Sequence, residues 1–458
     1  MIRYLVVALG LFLWVFTLAH DRPLFLDEAN LARNLYDRSF AGLFSPLDHE
    51  QYAPPLYLLF AKALAELFGY REWVLRLPAF LGGLLGIVAL IGAGRALKLG
   101  EWTALPLALL FVNPTVLRYV TEFKPYGLDL GLAAAILWAQ LRWPKGATGW
   151  WLVAGVVLPW LSLPSVFVLA AVGLVRIHRD WRFAGVAAVW ATSFGVLYWT
   201  VLRSAVGSDY LNTFHAAYFL PAPTNPEALR QISFQLYGIL RLSYGFTVVS
   251  LVFGGFVLLY ALFIPALRRY MWLLLPLAVA LFASAFRFYT LIDRMLLFAL
   301  PGVWLLTALA VRHGYYRLAS APQWVLLITV LVALGGSNIY RAVLYPYQYS
   351  DGRWLANLTR ETDVPYVVDP SAAPVLDYYL RVKPELSEDQ RLMPGVEDES
   401  GFKTGGRWLY DNAGDPGIRR EIDKRMKWAA ERGCRTSYEE RSGSGSLRIK
   451  CPARNYDR

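Results

Sequence analysis

The run Ile2-Arg-Tyr-Leu-Val-Val-Ala-Leu-Gly-Leu-Phe-Leu-Trp-Val-Phe-Thr-Leu-Ala19 leads at once into Asp21-Arg-Pro-Leu-Phe-Leu-Asp-Glu-Ala-Asn-Leu-Ala-Arg33, and that junction governs the reading of the chain. The first run holds a single charge, Arg3. It is close to the roughly 20 apolar residues that cross a bilayer. The acidic pair Asp27-Glu28 therefore falls at a membrane surface, where carboxylates are costly unless paired or at work. Asp27 also suits the N-cap of a helix over Glu28-Ala-Asn-Leu-Ala-Arg33, a role compatible with chemistry. A cleaved signal peptide would explain residues 1–20 alone. The many later apolar runs favour a retained first helix.

Those runs set the fold class. The chain has 458 residues, 56% of them hydrophobic and 15% aromatic, a polytopic membrane composition. Further spans are expected near 73–94, 101–119, 126–143, 183–203, 243–266, 270–287, 291–311 and 322–343. Residues 148–175 are too long for one helix and are broken by Ser162-Leu-Pro-Ser165, so they are read as two helices meeting at a tight tip. The expected architecture is an all-α membrane domain of about 11 transmembrane helices over 1–343, with a small soluble α/β domain over 344–458.

Charge orients this arrangement. From Leu344 onward 19 Lys/Arg balance 19 Asp/Glu, so the net +11 belongs to residues 1–343. It is a loop pattern and not a nucleic-acid patch. The clusters Arg95/Lys98, Arg142/Lys145, Arg176/His178/Arg179/Arg182, Arg268/Arg269 and Arg312/His313/Arg317 all fall on the side of the N-terminus. The positive-inside rule then makes that side cytoplasmic. The first loop 21–72, residues 120–125, the tip, 204–242, 287–290 and the C-terminal domain lie outside. Within the first loop, Tyr52–Phe68 carries Lys62 and Glu66 at i and i+4. It is read as an amphipathic helix lying in the interface.

In the tail, Pro365–Pro370 reads as a strand, Ala373–Arg381 and Glu421–Arg432 as helices, and Ser446–Cys451 as a strand. Gly443-Ser-Gly-Ser is a turn and lacks the lysine of a phosphate loop. Cys434 and Cys451 are the only cysteines: a disulfide if the tail is extracytoplasmic, free thiols otherwise.

Four constellations carry candidate chemistry. Asp27 and Glu28 can divide proton acceptance from orientation or cation binding. Thr121-Glu-Phe-Lys-Pro-Tyr126, with Asp129 one turn on, places Glu122, Lys124 and Tyr126 in the same space. Lys124 can hold a phosphate as a point charge, or snorkel to headgroups. Arg287-Phe-Tyr-Thr-Leu-Ile-Asp-Arg294 puts Arg287 and Arg294 outside, against the positive-inside bias. An anionic headgroup would retain them, as would an Asp293–Arg pair fixing the hairpin. Asp48-His-Glu-Gln-Tyr52 offers His49 to substrate, and Asp48, His49 and Glu50 with Asp27 to a divalent metal, the one cofactor considered. His215 and the aromatics Tyr210, Phe214, Tyr218 and Phe219 would stack on a sugar or sit in the interface.

Taken in order, Phe25-Leu-Asp-Glu28, Ala53-Pro-Pro-Leu-Tyr57, Trp73-Val-Leu-Arg-Leu-Pro78, Tyr119-Val-Thr-Glu-Phe-Lys-Pro-Tyr126 and Asp293-Arg-Met-Leu-Leu-Phe-Ala-Leu-Pro301 resemble the bacterial membrane glycosyltransferases of the GT-C superfamily. The nearest group holds the protein O-mannosyltransferases and the lipid A aminoarabinose transferases. The resemblance covers roughly residues 1–310 and implies a GT-C fold. It further implies a polyprenyl-phosphate-linked sugar as donor, an envelope glycan, lipid or protein as acceptor, and inversion at the anomeric carbon. Asp27 would be the base or would orient the acceptor, and Lys124 and Arg294 would hold the leaving phosphate. Glu122, His49, Asp129 and Tyr57 are the candidate substrate contacts. One departure is Ala53, where relatives often carry a basic residue before Pro-Pro; His49 or Lys124 would compensate. A flippase of lipid-linked sugars is the alternative. It would ask for charges along a central path and two related halves, and the sequence has no such repeat.

Overall fold

The computed structural model describes residues 2–203, 213, 215–245, 248–318, 322, 325, 349–359, 366–382 and 405–452. The first run forms helix α1 (Ile2–Ala19), and the first loop carries α2 (Leu26–Asp37) and α3 (Pro55–Phe68). Then come α4 (Glu72–Ala96), α5 (Ala104–Val112), α6 (Pro114–Val120), α7 (Tyr126–Arg142), α8 (Thr148–Leu161), α9 (Ser165–Arg179) and α10 (Phe183–Leu197). The later helices are α11 (Pro226–Tyr244), α12 (Val248–Phe263), α13 (Leu275–Ala285) and α14 (Leu300–Leu318).

Among the described residues, α1, α4, Phe183–Leu202 and Asp293–Arg317 are long and apolar enough to cross a membrane. The expected span at 101–119 is bent by 69° between α5 and α6. Pro114 opens the second piece there, and the Asn113 side chain accepts from Thr115 and Val116 N–H. The run 148–175 is two helices with a tip at Ser162–Pro164, as its proline predicts. Thr148–Leu161, Leu251–Phe263 and Met271–Ala285 are shorter apolar helices. The span expected at 322–343 falls outside the described residues.

One expectation is corrected. The segment 204–242, read as a long loop, ends in the 19-residue helix α11. Asn225 caps it through Ala228 N–H at 2.8 Å, and Pro226 occupies its first turn. Its exposed face carries Leu229, Phe234, Leu236 and Tyr237. Polar residues alternate with these, so a hydropathy average misses the helix.

Among the described residues the most extensive helix contact lies between α4 and α7. A Cβ on Gly131 would meet the Gly82 carbonyl at 1.9 Å, so this crossing admits only glycine. It fixes the loop before α7 against the start of α4.

The tail begins with α15 (Gly352–Leu358), strand β1 (Tyr366–Val368) and α16 (Ala373–Val382). Then follow β2 (Gly405–Tyr410), α17 (Pro416–Glu431), β3 (Arg435–Arg441) and β4 (Ser444–Lys450). The sheet order is β1-β2-β4-β3, with β1 parallel to β2 and the other pairs antiparallel. Ser442 and Gly443, both at positive φ, turn the β3–β4 hairpin. Cys434 and Cys451 are joined in a disulfide at its open end. Tail and first loop share one core: Leu24, Leu31, Leu35 and Leu58 pack with Leu355, Leu376, Tyr378 and Tyr379.

Candidate active site

Helix α2 starts two residues earlier than an Asp27 N-cap would place it. Phe25 is the N-cap, and Asp27 and Glu28 sit in the first turn. Glu28 reaches back to accept from Phe25 N–H at 3.2 Å, half of a capping box.

The two acids then part company. Glu28 is 2% exposed. Its oxygens take Arg76 Nε and Nη2, both at 2.9 Å, and Phe123 N–H at 2.6 Å. Arg76 also donates to the Arg22 and Pro23 carbonyls. Burial alone would raise the Glu28 carboxyl; the Arg76 guanidinium and these hydrogen bonds hold it below its ordinary value. Glu28 thus ties α2 to α4 and to the loop before α7, with little acceptor capacity left for a substrate.

Asp27 is half-buried, and no donor among the described residues bonds to it. It stands in the field of Lys124 and Arg294. Lys124 is 7% exposed and donates to Gln51 Oε1 at 2.8 Å. Burial pulls its ammonium below the ordinary value, with Asp27 and Glu122 opposing. Arg294 lies near the Tyr119 hydroxyl, and its buried Nε has no hydrogen-bond partner among the described residues. Tyr126 packs edge-on to Tyr119 at 4.9 Å, facing the same charges.

Glu122 accepts from Arg118 Nε at 2.7 Å, and Arg118 lies under the Tyr349 ring at 4.4 Å. Burial, and Glu28 nearby, push the Glu122 carboxyl up against the pull of Arg118. Tyr57 is fully buried against Phe123, its hydroxyl near Asp129 and Glu122. Asp129 is buried beside Ser162 of the tip.

Other expected residues go elsewhere. Arg287 is exposed, with its guanidinium 5.3 Å from the Phe219 ring. Asp293 pairs with Arg241 of α11 at 3.2 Å and not with either arginine of its own hairpin. His49 is exposed, in the field of Arg33, Asp48 and Asp377; burial, then Arg33, lowers its ordinary value. Asp48 is 2.9 Å from Arg38. Among the described residues no three of His, Cys, Asp and Glu come together as metal ligands. Asp27, Asp48, His49 and Glu50 do not form such a group among the described residues.

Sequence reading missed Arg22, Arg76, Arg118, Gln51 and Tyr349. Arg76 carried a signal: an arginine inside an apolar helix needs a partner, and Glu28 is the buried acid that supplies one. Arg22 is 6% exposed, donates to the Thr121 carbonyl at 2.6 Å, and is pulled to about 10 by burial and by Arg76. An apolar cavity of about 630 Å³ lies between α8, α9, α10 and α13; its end at Pro159 and Val166 adjoins the tip.

Residues 52–199 match the family model of dolichyl-phosphate-mannose-protein mannosyltransferases. The motifs around Asp27 and Asp293 fall outside that stretch. The whole structure resembles crystal structures of ArnT from Cupriavidus metallidurans. The apo form aligns at a TM-score of 0.55 and 17% identity, over 97% of each chain. The form bound to undecaprenyl phosphate aligns at 0.54 and 17%, again over 97% of each chain. No curated protein matches. At this identity the likeness speaks for the fold, and the fold is the GT-C fold that the motifs led us to expect.

Proposed function

We propose that this protein is an inverting glycosyltransferase of a bacterial inner membrane, moving a sugar from a polyprenyl-phosphate donor to an extracytoplasmic glycan, lipid or protein. One observation carries the reading: Asp27, a carboxylate accepting no hydrogen bond among the described residues, stands in the electrostatic field of two largely buried cations, Lys124 and Arg294. An acceptor and an anion-binding pair side by side are what glycosyl transfer from a phosphate needs.

In this mechanism the acceptor hydroxyl attacks the anomeric carbon from the face opposite the phosphate. The bond from that carbon to the phosphate oxygen breaks, and the proton of the hydroxyl passes to Asp27. The charge developing on the leaving polyprenyl phosphate meets Lys124 Nζ and the unpartnered Arg294 Nε. Tyr126, Tyr57, Glu122 and Asp129 line the sugar side. The apolar cavity beside the tip would take isoprenoid chain. ArnT, whose fold this chain shares, binds undecaprenyl phosphate in one of its structures. The disulfide in the tail supports an oxidising, extracytoplasmic location, in agreement with the positive-inside reading.

The test uses purified protein in nanodiscs with radiolabelled polyprenyl-phosphate sugars and envelope acceptors. Labelled product together with free polyprenyl phosphate is the expected result. No transfer with any donor, but movement of labelled lipid across liposomes, would favour the flippase.

A further inference from the structure

The tail could be a passenger, stabilised by the membrane domain and remote from its chemistry. Its contacts say otherwise. The segment 21–24 joins α1 to α2 and sets where the first turn of α2, with Asp27, begins. Leu24 N–H precedes the helix and has no helical acceptor. It donates to the Tyr379 hydroxyl at 2.8 Å, across 355 residues of sequence. That hydroxyl donates in turn to Glu72 Oε1 at 2.9 Å. Both Leu24 and Tyr379 are 0% exposed.

A second tail residue grips the other end of the same segment. Arg353 Nη2 lies 2.8 Å from Asp21 and 2.6 Å from the same Glu72 oxygen. Glu72 opens α4, the helix that holds Glu28 through Arg76. The segment before Asp27 is thus held from the tail on one side and the membrane helices on the other.

We infer that the tail is part of the working site: Tyr379, bonded to Leu24 and Glu72, is a positioning residue that sets where Asp27 stands. The inference rests on the transferase reading above and adds to it a role for the tail. Removing the hydroxyl leaves a buried N–H unsatisfied at the start of α2. The catalytic carboxylate then samples misplaced positions, whereas Lys124 and Arg294, on other elements, keep their places. Turnover should suffer and donor binding should not.

The neighbouring residue provides the control. Tyr378 lies on the same helix in the same core, and its hydroxyl bonds the Tyr70 carbonyl at 2.9 Å, with no bond to segment 21–24. Full-length Tyr379→Phe and Tyr378→Phe would be compared for kcat, for KM toward the polyprenyl-phosphate sugar, and for amide hydrogen exchange. Misplacement of a reacting group by an ångström lowers rates by up to about a hundredfold. The expected result is a fall in kcat of roughly ten- to a hundredfold in Tyr379→Phe with KM unchanged. Faster exchange at Leu24–Glu28 should appear in that variant alone, with kcat retained in Tyr378→Phe. Equal kcat in both variants of a competent enzyme, or unaltered exchange at Leu24, would overturn this inference alone. A wild type that transfers nothing would overturn the function and the inference together.

Discussion

The knot around Glu28 and the pocket around Asp27 are built on one helical turn, yet they use the same functional group in opposite ways. In the knot, a carboxylate from the first loop, a guanidinium from α4 and an amide from the loop before α7 satisfy one another. In the pocket, the adjacent carboxylate takes no donor among the described residues and stands in the field of two cations that keep spare hydrogen-bonding capacity. Adjacent identical charges therefore do not imply a shared role. What separates them is whether their acceptor sites are spent inside the protein. The knot fixes the turn, and the pocket uses the position so fixed.

The largest expected effect breaks the knot. Glu28→Gln leaves the Arg76 charge buried and unpaired, which costs about 3–5 kcal/mol. The unfolding midpoint and transfer should fall together. A variant as stable as wild type but inactive would return Glu28 to the catalytic group and erase the contrast. Acid should act on the same tie. Because the folded carboxyl is held below its ordinary value, its stabilisation is present above about pH 4.3 and is lost as pH falls through the folded value.

A third buried acid sharpens the comparison. Asp411 of the tail is 0% exposed, but it takes a Ser444 hydroxyl at 2.7 Å where Glu28 takes a guanidinium. Burial raises it to about 7 from 3.8. A raised carboxyl stabilises fully below its unfolded value, and that stability is lost as pH rises toward 7, by about 2–4 kcal/mol. Asp411→Asn keeps the acceptor for Ser444 and cannot ionise. It should raise the unfolding midpoint at pH 8 and change little at pH 4. Equal midpoints at pH 8 would remove ionisation as the cause.

A smaller effect probes the pocket. Among the described residues the Lys124 side chain makes one hydrogen bond, to Gln51, so its loss should spare the fold. A bond to a charged group is worth about 1.5–3 kcal/mol. Lys124→Gln should therefore weaken undecaprenyl phosphate binding roughly ten- to a hundredfold. Unchanged affinity in a titration would move the phosphate elsewhere.

Much of this was legible in the sequence. Hydropathy located the four helices that are long and apolar enough to cross a membrane among the described residues, and Ser162-Leu-Pro-Ser165 marked a real break. The acidic pair and Lys124 were picked from position alone. The division of labour within the pair was not legible, because Arg76 and Phe123 come from 48 and 95 residues away. Helix α11 escaped because its apolar and polar residues alternate around the helix. Strand β3, Arg-Thr-Ser-Tyr-Glu-Glu-Arg, escaped because it is an edge strand with almost every residue exposed, so no buried face shows in its pattern. The grip of Tyr379 on Leu24 links positions 355 residues apart, beyond any local rule.

The central claim is that Asp27 takes the proton while Glu28 holds the turn. Its most direct test is sugar transfer by Asp27→Asn in parallel with its thermal unfolding. A general base contributes about 10²–10⁴ to the rate. The account predicts a loss of that size in a protein that binds undecaprenyl phosphate and unfolds at the wild-type temperature. Transfer at the wild-type rate would contradict it and remove the Asp27 carboxylate from the chemistry.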